Sequence, residues 1–384
     1  MAQLEIDDML RAAVKADATD IHLKVGSPPV FRIDGSLVFI KEAPSFTQEG
    51  LERMAFALMN KWQREKYERT FEMDLAYDID GLSRFRFNVF QQQGTIAMAI
   101  RAIPFEILNF SELNLPPILE KISLEERGLI IATGTTSSGK STTLAAIIDC
   151  INSTRPRHII TIEDPLEYVH RDKKSIIQQR EVSIDTLSFS NALRSAMRED
   201  PNVILVGEMR DLETMEIAMA AAETGHLVLT TLHTLDAQET INRILVIFPP
   251  NQHNQIRYQL SQILKGIISQ RLMPKADGNG RVPAVEVLIA TARIRECISD
   301  PTKTVEIRTA IEEGYLYYGM QTFDQCLLDF YKKGMITYDE VMRQATNKDD
   351  LALKISGITS GADAMAEDID RRGKERAKHE GIRN

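Results

Sequence analysis

One stretch restricts this chain more than any other: Gly134, Thr135, Thr136, Ser137, Ser138, Gly139, Lys140 and Ser141 match the phosphate-loop pattern G-x-x-x-x-G-K-[ST] in full. Such a loop functions between a buried strand and a helix. Leu129, Ile130 and Ile131 predict the strand, and residues 142–150 predict the helix. Gly134 and Gly139 let backbone N–H groups turn toward a phosphate, and the helix N-terminus adds partial positive charge. Lys140 reaches the outer phosphates, and the Ser141 hydroxyl suits Mg²⁺. The candidate nucleotide-binding residues are therefore these eight and Thr142. A chance match is the competing reading, and the strand-loop-helix context argues against it.

A chain of 384 residues is long for one domain and predicts two or three. A hydrophobic fraction of 43% and a charged fraction of 26% are those of a globular protein. A formal net charge of -9 argues against a protein that wraps nucleic acid, so no nucleic-acid partner is expected. The acidic N-terminus lacks a signal-peptide pattern and no run reaches a membrane span, which predicts a cytoplasmic protein. Cys150, Cys297 and Cys326 are widely separated and fit reduced core or helix positions.

Ahead of the loop, Ile6, Met9, Leu10 and Val14 fall at helical spacing. Residues 20–25 predict a strand, 30–39 a hairpin turning at Asp34-Gly35, and 48–68 a second helix. His22 has no partner at metal-ligand spacing and is read as structural. After an Asp80-Gly81 turn, Phe85, Phe87 and Val89 alternate with Arg84, Arg86 and Asn88 on opposite faces of a strand. A two-residue turn at Gln93-Gly94 would set Arg101 opposite Arg86, with no acidic partner in the local strand pattern. Like charges across a ladder cost a few tenths to about 1 kcal/mol, so the pair invites an anion. Two solvated arginines in another register is the competing reading.

Residues 104–117 are bounded by prolines and predict a linker. Beyond them, short apolar runs at 129–131, 158–162, 203–206 and 227–231 alternate with helical segments, the pattern of a mostly parallel sheet covered by helices. Ligands on such sheets bind at the carboxyl ends of strands. Glu163 and Glu208 follow two of the runs; beside a phosphate loop, such carboxylates suit Mg²⁺ held through water and proton removal from an attacking water. Helix capping is the alternative for both. His226 and His233 flank the last run and read equally as phosphate sensors or buried structural histidines. Residues 252–271 predict one long helix with Ile256, Leu260, Ile263, Leu264, Ile267 and Ile268 on its inner face. A strand at 281–290 and helices at 292–299, 305–312, 322–332 and 337–345 follow, then a charged, flexible tail.

The motifs resemble those of the hexameric secretion and type IV pilus motor ATPases, most closely the retraction ATPases of the PilT/PilU group. The likeness lies in the phosphate loop, in residues 161–168 around Glu163, in 206–211 around Glu208, in 224–233 with both histidines, and in Gly319-Met-Gln-Thr-Phe-Asp324. The resemblance implies an α/β chain: a PAS-like α+β domain (1–103), the linker (104–117), a RecA-like P-loop NTPase core (118–290), a C-terminal helical region (291–358) and the tail (359–384). It implies an ATP- and Mg²⁺-dependent homohexamer with Glu163 and Ser141 at the metal. Arg86 and Arg101 match the arginines that reach the nucleotide. It further implies pilus retraction and twitching motility, at the cytoplasmic side of the inner-membrane pilus base, with a platform protein and a paralogous retraction ATPase as partners. The absence of a tetracysteine pattern favours retraction over extension or secretion. The helix 293–300 matches the retraction group's A-I-R-N-L-I-R-E only at Ile294, Arg295 and Ile298, which keeps an accessory motor open. A nucleic-acid translocase, a GTP switch using Asn347-Lys-Asp-Asp350 and a non-hydrolysing adaptor are the remaining classes. Acidity, a helix-cap reading of Asn347 and the presence of both glutamates argue against them in turn.

Overall fold

The computed structural model describes residues 6–33, 35–79, 81–103 and 107–357. The chain divides into two compact units, Met1–Ile107 with Glu167–Arg171, and Leu108–Leu166 with Asp172–Asn384. The tail 359–384, along with Asp34 and Asp80 of the two expected turns, lies outside the described residues.

The first unit runs α1 (Ile6–Lys15), β1 (Ala18–Lys24), β2 (Val30–Ile33), β3 (Ser36–Phe39), α2 (Gln48–Leu58), α3 (Lys61–Thr70), β4 (Glu72–Ile79), β5 (Ser83–Gln92) and β6 (Thr95–Ile103). Its strands form one antiparallel sheet, ordered β3-β2-β1-β6-β5-β4, in keeping with a PAS-like α+β unit. Alternation on β5 sends Phe85, Phe87 and Val89 into a core with Met9 and Leu10 of α1 and Leu51 of α2. Burying each such side chain contributes roughly 1.5–3 kcal/mol. The helix expected over 48–68 is two helices. Asn60 and Gln63 exchange backbone and side-chain bonds of 2.9 Å in a capping box that starts α3. In the sequence Asn60 is one more polar-face residue, so the period hides the break.

Gln93 (φ 49°) and Gly94 (φ 75°) supply the two positive φ values of a tight hairpin turn, and Arg86 faces Arg101 as expected. The hairpin itself offers the arginines no acidic partner, but the strands on either side of it do. Asp20 on β1 lies opposite Arg101 and accepts from its Nε at 2.9 Å, and Asp74 on β4 lies 3.8 Å from Arg86 Nη2. These carboxylates come from the strands flanking the hairpin, beyond the reach of local sequence pattern. Burial acts to raise the Asp20 carboxyl, but Arg101, Thr19 and Arg32 outweigh it and hold it below the usual carboxylate range.

The second unit opens with α4 (Ile118–Ser123), β7 (Gly128–Thr133), α5 (Lys140–Thr154), β8 (His158–Glu163), β9 (Ile176–Glu181), α6 (Phe189–Ala196), β10 (Val203–Val206), α7 (Leu212–Glu223), β11 (Leu227–Leu232) and α8 (Ala237–Ile247). It continues with α9 (His253–Ile263), β12 (Leu264–Pro274), β13 (Arg281–Ile289), α10 (Ala292–Ser299), α11 (Ile307–Glu313), α12 (Tyr315–Tyr318), α13 (Phe323–Lys332), α14 (Tyr338–Gln344) and α15 (Lys348–Ile355). The sheet order is β13-β12-β7-β11-β10-β8-β9, parallel throughout except β13. Leu144, Ile147 and Ile148 of α5 pack with Ile130 and Ala132 on one face; α7 to α11 cover the other through residues such as Met215, Ile241 and Leu260. Two-sided burial is what produces the near-continuous apolar runs.

Three features differ from the sequence reading. The helix expected over 252–271 ends at Ile263, and the remainder is β12, beside β7. Its Ile267, Ile268 and Leu264 satisfy a helical period and a two-faced buried strand equally well, and Gly266 sits where a Cβ would lie 3.1 Å from Leu288 O. β9 has no signature in the sequence pattern, because Ile176–Glu181 carries the polar residues of an edge strand. Of the segment read as a linker, 104–106 lie outside the described residues, while Leu115, Phe110 and Leu113 join the second unit's core. Cys297 and Cys326 are buried and Cys150 is half-buried.

Asn347 caps α15 by accepting from Asp350 N, consistent with the cap reading. The motif residue Asp324 accepts from Thr346 N at 2.7 Å, Asn347 N at 3.0 Å and Arg308 Nη2 at 2.7 Å, tying α11, α13 and α15 together. Asp324→Ala strands two backbone donors and a guanidinium, so about 2–4 kcal/mol of stability should be lost, with Asn recovering part. Urea midpoints of the three proteins check this; unchanged midpoints would show the tie to be dispensable.

Candidate active site

The phosphate loop leaves the C-terminal end of β7, near the middle of the sheet, as the strand-end rule expects. Gly134 (φ 141°), Ser137 (φ 62°) and Gly139 (φ 95°) bend it into the helix N-terminus. Gly134 is obligatory for space as well as for φ: a Cβ there would meet Gln270 O at 2.4 Å and Ser138 Oγ at 2.5 Å. Lys140, 8% exposed, curls back to donate from Nζ to Gly134 O and Thr135 O, both at 2.9 Å. The buried Ser138 hydroxyl makes no hydrogen bond within the chain. A glycine-lined bend, an inward ammonium and an unspent buried hydroxyl fit a nucleotide's phosphates.

The strand order sets how far each candidate stands from this loop. With strands about 4.8 Å apart, the column of His233 is one step from β7, that of Glu208 about 10 Å and that of Glu163 about 14 Å. Gly207 closes the gap between the glutamates: its N–H bonds Ile162 O at 2.8 Å, and a Cβ there would lie 3.4 Å from Glu163 Cα. Glu163 Oε1 accepts from Thr161 Oγ1 at 2.7 Å and from Gln179 Nε2 at 3.4 Å. Glu208 meets Arg210 Nε at 2.5 Å and His233 Nε2 at 3.5 Å. Thr231 Oγ1 ties β11 to Gly207 O at 2.6 Å.

Thus β7, β8, β10 and β11 bring Lys140, Ser141, Glu163, Glu208 and His233 to one edge of the sheet. His226 is not among them. It precedes β11, six residues from the site edge and so about 20 Å away. It is half-buried, and its Nδ1 lies 3.0 Å from Ala221 O, in the last turn of α7. Arg86 and Arg101 lie in the first unit, on β5 and β6. Sequence reasoning missed Gln270 of β12, whose Nε2 donates to Thr143 Oγ1 at 2.8 Å while its backbone O abuts Gly134. No signal for it was available once that segment was read as helix.

A phosphate loop at the end of the second-unit sheet, with two strand-end glutamates, defines a RecA-like P-loop ATPase. The chain belongs to the type II/IV secretion system protein family, whose profile matches residues 2–318. It is 44% identical over 342 residues to the type IV pilus retraction ATPase PilT of Pseudomonas aeruginosa, covering 89% of this chain and 98% of that protein. The type IV pilus ATPase PilU of the same organism is 38% identical over 364 residues, 94% of each chain. A crystal structure of the pilus retraction motor PilT with bound ADP superimposes with a TM-score of 0.83 at 48% identity, covering 90% of this chain and 98% of that one.

Proposed function

We propose that this chain is the subunit of a hexameric motor that couples ATP hydrolysis to type IV pilus retraction. The observation that carries this reading is the PilT likeness across 98% of that protein, on a chain that retains Lys140, Glu163 and Glu208. Among the described residues no helix is long and apolar enough to cross a membrane. The motor works from the cytoplasmic side of the pilus base, against an inner-membrane platform protein.

In the site, the loop residues 134–142 hold the phosphates and Lys140 neutralises the outer ones. Ser141, with Glu163 through water, would hold Mg²⁺, which when bound offsets phosphate charge. Glu163 or Glu208 removes the proton from the attacking water, and His233 steadies Glu208. Arg86 and Arg101 supply further positive charge to the phosphates. Exchanging the carboxylate partners Asp20 and Asp74 for phosphate oxygens is the step this requires. Arginines of this kind contribute roughly 10³–10⁵ in turnover in other P-loop enzymes. Arg86→Ala and Arg101→Ala should each lower kcat far more than they weaken ATP binding, and the double mutant should be less than additive. Near-wild-type kcat in the double mutant would return them to solvated surface residues.

A second reading is an accessory motor. The PilU likeness extends over 94% of both chains, and α10 departs from the retraction group's helix. Gene deletion separates the possibilities: excess, non-retracting pili support retraction, bald cells support extension. Full twitching in a strain lacking every other retraction ATPase would exclude a merely accessory role.

A further inference from the structure

Glu286, on β13, is 6% exposed and takes no part in the chemistry above. It pairs in register with Ser269 of β12, which pairs with Thr133, the residue before the phosphate loop. Its Oε1 accepts from Ala237 N at 2.9 Å, the first helical residue of α8. The connection from β11 to α8 carries His233 and is bound to that same helical turn. Thr234 and Thr240 hydroxyls lie 2.7 Å apart, Leu235 N donates to Glu239 Oε2 at 2.8 Å, and Asp236 Oδ1 accepts from Glu239 N at 2.7 Å. Glu286 therefore ties the start of α8, and with it the connection that carries His233, to the sheet.

We propose that Glu286 is a positioning residue for ATP turnover: its carboxyl pins the first turn of α8, and through residues 234–236 holds His233 against Glu208. This rests on the reading of Glu208 and His233 as part of the hydrolytic site. The carboxyl lines a cleft of about 170 Å³ and is faced by Asp236 from the β11–α8 connection, Arg271 from β12 and Arg308 from α11. Both arginines are engaged elsewhere. Arg271 lies 3.9 Å over the Phe323 ring and donates to Gln344 O at 2.9 Å, and Arg308 bonds Asp324. Burial, helped by Asp236 and opposed by the Ala237 bond and the two arginines, pushes Glu286 up to about 7. The anchor therefore changes charge within the working pH range. As a carboxylate it grips the N–H and the positive end of α8 more strongly than as a neutral acid.

The test measures kcat from pH 6 to pH 8.5 and fluorescent-ATP binding on the full-length wild type, Glu286→Gln and Glu286→Ala. A charge-assisted bond replacing a neutral one should raise wild-type kcat about fivefold as pH passes 7. Glu286→Gln keeps the acceptor without the charge, so it should run at the wild type's low-pH rate and lack that inflection. Glu286→Ala should lose at least about tenfold in kcat with ATP affinity unchanged, since the anchor itself is gone. A wild-type pH profile in Glu286→Gln, or wild-type turnover in Glu286→Ala, overturns the proposal. If the alanine variant does not fold, the glutamine profile alone decides. Slow Glu208→Gln with an unaltered Glu286→Gln profile sinks this inference only; normal Glu208→Gln turnover sinks the site reading and this inference with it.

Discussion

Lys140→Ala should bring ATP hydrolysis down by roughly 10³-fold or more, the scale expected when a preorganised charge at the transferring phosphoryl group is lost from a shielded site. Nucleotide affinity should fall as well, because the ammonium interacts with ground-state phosphates too. The fold should persist. Lys140 donates to Gly134 O and Thr135 O, and the bend around them rests on Gly134 against Gln270. The circular dichroism spectrum and melting profile should stay close to wild type while phosphate release disappears. Wild-type turnover in this variant would remove the phosphate loop from the chemistry.

The second large effect is expected at the strand-end glutamates. Glu208→Gln preserves shape and the approach to His233 while removing the charge that meets Arg210 and any proton-accepting power. Turnover should drop by roughly 10²-fold or more with ATP still bound, as for loss of a general base. Glu163→Gln should behave likewise, and the larger loss identifies the base. Single-turnover quench with bound-nucleotide analysis reads both quantities at once. Unchanged rates in both variants would leave the strand-end argument without support.

The sequence made the phosphate loop, both glutamates, the β5–β6 register and most helices legible, because each is written in local pattern: a fixed-spacing motif, an alternation, a turn whose residues tolerate positive φ. What it hid depends on partners far along the chain. Asp20 and Asp74 neutralise the facing arginines from separate strands, so a hairpin read alone appears uncompensated. β12 passes for helix in the sequence because a strand buried on both faces has no periodicity of its own. His226 and His233 flank the same run, and its parallel register beside β7 puts His233 at the end from which the phosphate loop leaves. Glu286 looked like an ordinary strand residue, since the backbone donor that it accepts from begins a helix on another strand's connection.

The seat of the phosphate loop also has a consequence for how the protein is made. β7 lies between β11 and β12, and the Gln270–Thr143 bond bridges 127 residues. A ribosome that has finished the glycine-lysine motif has therefore not yet produced a nucleotide pocket, since the wall against Gly134 is translated last of the loop's neighbours. Until β11 emerges both edges of the apolar strand β7 are unsatisfied, and one stays so until β12 follows, the condition under which nascent chains pair wrongly or are taken up by chaperones. The loop's surroundings are thus complete only once β12 has been translated, its Gln270 lying 127 residues after Thr143, so a chain that stops short of β12 carries the motif without the strand that walls it.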